Sequence, residues 1–191
     1  MSCYHPLRGI VLGTKENGKK NIKIIKDSDF SFYSDDVEYI EIPCGHCIGC
    51  RLKYSRIWAD RCMAESQYHD SNLFLTLTYD DEHLPDRRKL DDGSLSPIHS
   101  LNKRDLQLFI KRLRSLFPEQ KIRYFACGEY GDTYGRPHYH AIVFGLQGTD
   151  EKIVQDCWQR GFVMLGGVSQ KSIGYVTGYV LKKYGKGKRS M

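Results

Sequence analysis

Apolar positions alternate in some stretches of the chain and recur at three- and four-residue spacing in others, and these changes of period mark out its elements. Asn21 to Lys26 and Val37 to Ile42 read as strands on either side of a polar run around Asp27 to Asp36. Arg51 to Tyr68 follows a helical period, with Tyr54, Ile57, Trp58 and Cys62 on its apolar side. Phe74 to Tyr79 (FLTLTY) mixes apolar and β-branched residues as a strand does. Asp80 to Pro97 is charged and rich in turn formers, so a surface loop is expected there. Asn102 is a candidate N-cap for a helix ending near Phe117, with Leu106, Phe109, Ile110, Leu113 and Phe117 as its stripe and Pro118 as its stop. Strands follow at Ile122 to Glu129 and His138 to Gly145, joined by the glycine-containing turn YGDTYGRP. Thr149 to Arg160 reads as a short helix, Phe162 to Val168 as a strand and Lys171 to Tyr184 as a final helix.

The order strand, helix, strand, strand, helix, strand, helix predicts an α+β fold. Its first six elements make a βαββαβ unit, an antiparallel sheet of ferredoxin-like (split βαβ) type with helices on one face. Residues 71–185 hold that unit, residues 1–70 form an N-terminal extension with a cysteine cluster and a helix packed on it, and residues 186–191 are a basic tail. No stretch approaches the ~20 consecutive apolar residues of a membrane span. MSCYHPLRG lacks the apolar run of a signal peptide, so a cytosolic protein is expected. Seven cysteines in that setting point to metal binding or plain burial ahead of a disulfide framework. The net charge of +6 is concentrated in Lys103, Arg104, Lys111, Arg112 and Arg114 of one helix and in Lys182, Lys183, Lys186, Lys188 and Arg189. Clustered cations release counterions when they meet a polyphosphate backbone. A solvated helix face and a basic tail would look the same.

A single residue separates His138 from His140. Alternate side chains of a strand share a face, so the two imidazoles point the same way, roughly 6.5–7 Å apart along the chain. Imidazoles at that spacing can grip one divalent ion, although a bare H-x-H also occurs in strands that bind nothing. Glu129 ends the preceding strand, and the turn from Tyr130 to Pro137 should bring it beside the histidines as a third ligand. Two imidazoles and a carboxylate leave positions open for phosphate oxygens and water. On the final helix, with Ile173 set at zero, Val176, Val180 and Tyr184 fall near ~300°, ~340° and ~20° and complete one apolar stripe. Tyr175, Tyr179 and Lys182 fall near ~200°, ~240° and ~180° on the same wheel, a shared face directed away from that stripe. A phenol with pKa ~10 is a poor nucleophile until a cation stabilises its charged form, and Lys182 supplies one. Tyrosines covering a helix contact with their rings, beside a solvated lysine, would show the same pattern. Together the two stretches suggest a metal-dependent enzyme that cuts single-stranded DNA with a tyrosine nucleophile.

FLTLT, PHYH and Y-x3-Y-x2-K, in that order, resemble the three motifs of the HUH endonucleases that initiate rolling-circle replication, and the spacing resembles their two-tyrosine class. PCGHCIGCR before a Trp-containing helix, ACGEYG before RPHYHAI, and YVTGYVLKK are similar to the replication initiation proteins of gokushovirus-type Microviridae, small single-stranded DNA phages. The likeness spans Cys3 to Lys183. It implies that residues 71–185 are an HUH endonuclease domain and that His138, His140 and Glu129 bind Mg2+ or Mn2+. It implies in-line attack by Tyr175 or Tyr179, assisted by Lys182, on a scissile phosphate, leaving a 5′-phosphotyrosine and a free 3′-OH. The other tyrosine would cut the regenerated origin so that the first joint can be resealed. Arg136, Lys171 and Lys183 become candidate nucleic-acid contacts. The implied partners are single-stranded origin DNA and the host helicase and polymerase, in the host cytoplasm and away from membranes. A non-cleaving single-stranded nucleic-acid-binding module, or a transposase or relaxase of the same superfamily, would share most of these features. Members of the group often continue past the tyrosine helix, whereas this chain ends at Met191.

Cys44, Cys47 and Cys50 stand at C-x2-C-x2-C spacing, with Cys3, His46 and Cys62 as candidates for a fourth ligand. Thiolates on a tight turn suit structural Zn2+. An iron–sulfur cluster, or three buried thiols that bind nothing, would fit the same spacing. Cys127 and Cys157 read as core residues.

Overall fold

The structure, a computed structural model, describes residues 3–26, 37–147, 149 and 151–184, of which 180–184 are described by their backbone alone. Its residues fall into two compact units, one reaching to Tyr54 and the other spanning Ser55–Lys183. The first holds a three-stranded antiparallel sheet of β1 (Leu7–Thr14), β2 (Lys20–Ile25) and β3 (Tyr39–Ile42), in the order β2-β1-β3. The strands near 21–26 and 37–42 were expected; the central strand β1 was not. Gly9 and Gly13 break its apolar pattern, yet both serve it. A Cβ at Gly9 would stand 3.0 Å from the side chains of Ile22 and Ile42 on its two neighbours. Gly13, at φ 132°, follows the register shift in the β1–β2 ladder.

The second unit is a four-stranded antiparallel sheet of β4 (Asn72–Tyr79), β7 (Arg123–Tyr130), β8 (Pro137–Phe144) and β9 (Gly161–Gly167), in the order β7-β8-β4-β9. Helix α2 (Lys103–Leu116) crosses from β4 to β7 and leaves β8 between them. Helix α3 (Glu151–Trp158) crosses from β8 to β9 and leaves β4 between them. Asn102 caps α2 by accepting from the Arg104 amide at 3.0 Å, as its sequence position predicted. A short exposed hairpin, β5 (Arg87–Lys89) with β6 (Leu95–His99), replaces the unstructured loop expected over residues 80–97. Its strands carry no apolar alternation that could have announced them.

Strand period sorts the core. On one face Leu75, Leu77 and Tyr79 of β4 and Tyr139, Ala141 and Val143 of β8 pack with Phe109, Ile110 and Leu113 of α2 and Val154 and Trp158 of α3. The helices of the βαββαβ unit thus share a face. The opposite face is covered too: Phe74, Cys127, Ile142 and Phe144 meet α1 (Ile48–Ser66), through Cys62 and Met63, and α4 (Gln170–Tyr184), through Ile173 and Val176. Each fully buried Leu, Ile or Phe contributes about 1.5–3 kcal/mol relative to exposure, so both faces demand cover. The second face is where the histidines lie.

Candidate active site

His138 and His140 occupy the turn-proximal half of β8, on the same face as Ile142 and Phe144. The ladders align Glu129 of β7 with His138, and Thr76 of β4 with His140. Glu129 Oε2 lies 3.4 Å from His138 Nε2 and 3.2 Å from His140 Nε2, and one donor atom from each residue falls within 4.8 Å of the others. His138 Nδ1 is 3.1 Å from the Arg136 carbonyl, which can only accept, so this nitrogen carries the proton and Nε2 presents a lone pair. His140 Nδ1 is 3.1 Å from Thr76 Oγ1. Outer partners of this kind orient metal-ligating imidazoles. Burial first, and then the neighbouring His138, lower the His140 pKa, against the opposing pull of Glu129. The neutral ring is the form that binds metal. The donor set therefore fits a divalent cation.

Helix α4 brings the tyrosines to this cluster. Ser169 and Ser172 start it with a reciprocal cap, the Ser172 amide donating to Ser169 Oγ at 3.2 Å and the Ser169 amide to Ser172 Oγ at 2.8 Å. Ile173, Val176 and Thr177 are its buried residues, Thr177 donating to the Ile173 carbonyl at 2.9 Å. The phenol face does not leave the sheet, as the wheel led one to expect, but lies along the rim of this contact. Tyr175 is 45% exposed, and its hydroxyl is 3.5 Å from His140 Nε2. Tyr179 is half-buried, stacked on His140 at 6.0 Å between ring centroids and 4.7 Å from Tyr175. A hydrogen bond with Tyr175, burial and Glu129 all raise the Tyr179 pKa, holding that phenol protonated.

Other expected residues are placed differently. Arg136 donates to the Tyr79 carbonyl at 2.9 Å and to Asp81 at 2.8 Å, tying the start of β8 to the end of β4. Lys171 is exposed in the first turn of α4. The side chains of Lys182 and Lys183, and the basic tail 186–191, lie outside the described residues. The cations of α2 belong to the helix on the opposite face; Arg112 donates to the Cys157 carbonyl and Arg114 to that of Ile122. Four residues on the histidine face had not been singled out. Phe74 stacks on His140 at 5.7 Å, and Thr76 bonds it. Phe162 and Met164 of β9, 63% and 67% exposed, align with Thr78 and Thr76 and so extend the rows of His138 and His140 across the sheet. Strand alternation would have revealed all four once the strand order was known.

In the first unit Cys3, Cys44, Cys47 and Cys50 place their sulfurs within 4.8 Å of one another. Backbone amides donate to them from Cys44 to Cys3 at 3.3 Å, and from Cys47 to Cys44, Cys50 to Cys47 and Tyr4 to Cys47 at 3.4 Å. The Tyr4 and Cys50 amides lower the Cys47 thiol to about 6. The Cys47 and His46 amides lower Cys44, and burial raises Cys50 to about 12. Cys62, one of the candidate ligands, packs instead with Ile142 and Ile173. Its position on the apolar stripe of α1 decides that.

A family model for replication-associated proteins of the ORF2 type matches residues 72–184. The chain is 34% identical to replication-associated protein VP4 of Bdellovibrio phage phiMH2K over a 210-residue alignment, which covers 98% of this chain and 60% of that protein. It is 33% identical to replication-associated protein ORF2 of Spiroplasma virus 4 over 207 residues, covering 97% and 62%. Replication-associated protein ORF4 of Chlamydia phage 1 is 28% identical over 188 residues, covering 86% and 44%. The chain spans less than two thirds of the length of these relatives. No solved structure matches it.

Proposed function

The chain belongs to the ORF2-type family of replication-associated proteins, and from that premise we propose that it nicks single-stranded DNA at a replication origin by tyrosine attack and rejoins the ends in rolling-circle replication. The observation that carries this reading is the convergence of Glu129, His138 and His140 with the Tyr175 hydroxyl, 3.5 Å from His140 Nε2. Mg2+ or Mn2+, held by those three residues, would supply Lewis-acid stabilisation of charge on the scissile phosphate.

The remaining work falls to the tyrosines. The Tyr175 oxygen forms a bond to phosphorus while the bond to the 3′ oxygen breaks, and the proton lost by the phenol balances the one the 3′ oxygen gains. One phosphodiester replaces another, so resealing by a 3′-OH is the same step in reverse and needs no ATP. Tyr175 acts first in this scheme, because its ring is exposed and its hydroxyl faces His140, whereas Tyr179 packs against the core of α4. Their rings, 4.7 Å apart, let the second phenol serve the same centre. Lys182, three residues on from Tyr179, provides positive charge beside a developing phenolate. Phe162 and Met164 favour an unpaired substrate, whose bases can stack on exposed apolar side chains where a duplex cannot. The free 3′-OH is the product a host polymerase would extend.

The test is a denaturing gel of the protein with Mn2+ and single-stranded oligonucleotides tiled across the genome that encodes it. One tile gives a covalent adduct, reduced strongly by Tyr175→Phe and abolished by Tyr175→Phe with Tyr179→Phe. An unchanged adduct in the double variant ends the reading. DNA binding without metal-dependent cleavage would favour the non-cleaving module.

A further inference from the structure

We propose that Cys3, Cys44, Cys47 and Cys50 bind one structural Zn2+ ion as a tetrathiolate. This site is separate from the histidine cluster, and the inference stands whether or not the nicking reading does. Four sulfurs bound at about 2.3 Å to one tetrahedral zinc stand about 3.8 Å apart. Cys47 Sγ and Cys3 Sγ are 3.8 Å apart, and all four sulfurs lie within 4.8 Å of one another. A disulfide would need sulfurs at about 2.05 Å, and all four cysteines are free. A polynuclear iron–sulfur cluster spreads its thiolates over several irons and holds them wider apart. The set suits a single ion.

The backbone is shaped for the charge such a site carries. Four thiolates around one dication leave two negative charges, and the amides of Tyr4, Cys44, Cys47 and Cys50 all donate to ligand sulfurs. Cys50 also lies in the first turn of α1, where the helix dipole favours negative charge. The ligands come from the segment ahead of β1 and from the segment running from β3 into α1. An ion there fastens the two ends of the three-stranded sheet's chain path, in a unit whose fully buried apolar side chains are few.

The full-length protein, purified without added metal, should contain one zinc per chain by elemental mass spectrometry. Cys3→Ser and Cys47→Ser should each lose most of it, while the double variant His138→Ala, His140→Ala keeps it. Should the serine variants fail to fold, the wild-type protein refolded with Co2+ decides the matter. Tetrahedral thiolate ligation gives intense visible d–d bands and a sulfur-to-cobalt charge-transfer band. Zinc that disappears with the histidines and not the cysteines, iron with acid-labile sulfide, or a cobalt spectrum lacking the charge-transfer band would each overturn the assignment.

Discussion

His140 collects more contacts than any other residue of the site. Thr76 holds Nδ1 at 3.1 Å, Glu129 stands 3.2 Å from Nε2, Phe74 stacks on one side and Tyr175 approaches edge-on at 5.0 Å. If the cluster holds a metal, Thr76→Val keeps the β-branched shape and removes only the outer partner. Mn2+ affinity, measured by calorimetry, should then fall about 10- to 100-fold, with the melting temperature nearly unchanged. An unaltered affinity would mean that Thr76 does not orient the ring. At this scale strand period was enough to pair His138 with His140, and turn length to bring in Glu129. Thr76 is 64 residues away from His140 in the chain, and no local pattern links them.

Among the elements, α2 was readable to its cap because its stripe and its Asn102 are local features. The hairpin β5–β6 and the central strand β1 were not, since one lacks apolar alternation and the other is interrupted by glycines whose use depends on neighbouring strands. Strand β9 shows the same dependence in a functional setting. Phe162 and Met164 look like ordinary strand residues until the order β8-β4-β9 sets them on the histidine face. Replacing both with alanine should weaken single-stranded DNA binding by about 1–3 kcal/mol for each base that stacks there, read by fluorescence anisotropy. Because the side chains are exposed in the free protein, thermal stability should barely change. A large loss of stability with intact DNA affinity would assign them to packing.

For the whole molecule, the two-faced sheet makes an alkaline prediction. Burial raises the Cys62 thiol from 9.0 to about 11, and burial raises Tyr139 to about 12. Both groups hold protons in the folded state that the unfolded chain releases at lower pH. The stability they contribute is complete below their unfolded values and is lost as pH rises through the folded ones. The denaturant midpoint should therefore fall between pH about 9 and about 11, and fall less in Cys62→Ala; an equal fall would show that Cys62 is not the sensitive group. Among the described residues no helix is long and apolar enough to cross a membrane. The α+β class, the element order and the paired histidines with a following tyrosine helix were all written in local periodicity, and the order of the motifs carried the kinship with phage replication-associated proteins. Periodicity states which residues share a face of one element, but not which element lies opposite. Strand order put Glu129, His138 and His140 on the side covered by α4, and packing turned the tyrosines to the rim of that helix. Chain closure over about forty residues, not spacing, chose Cys3 over Cys62 as the fourth thiol.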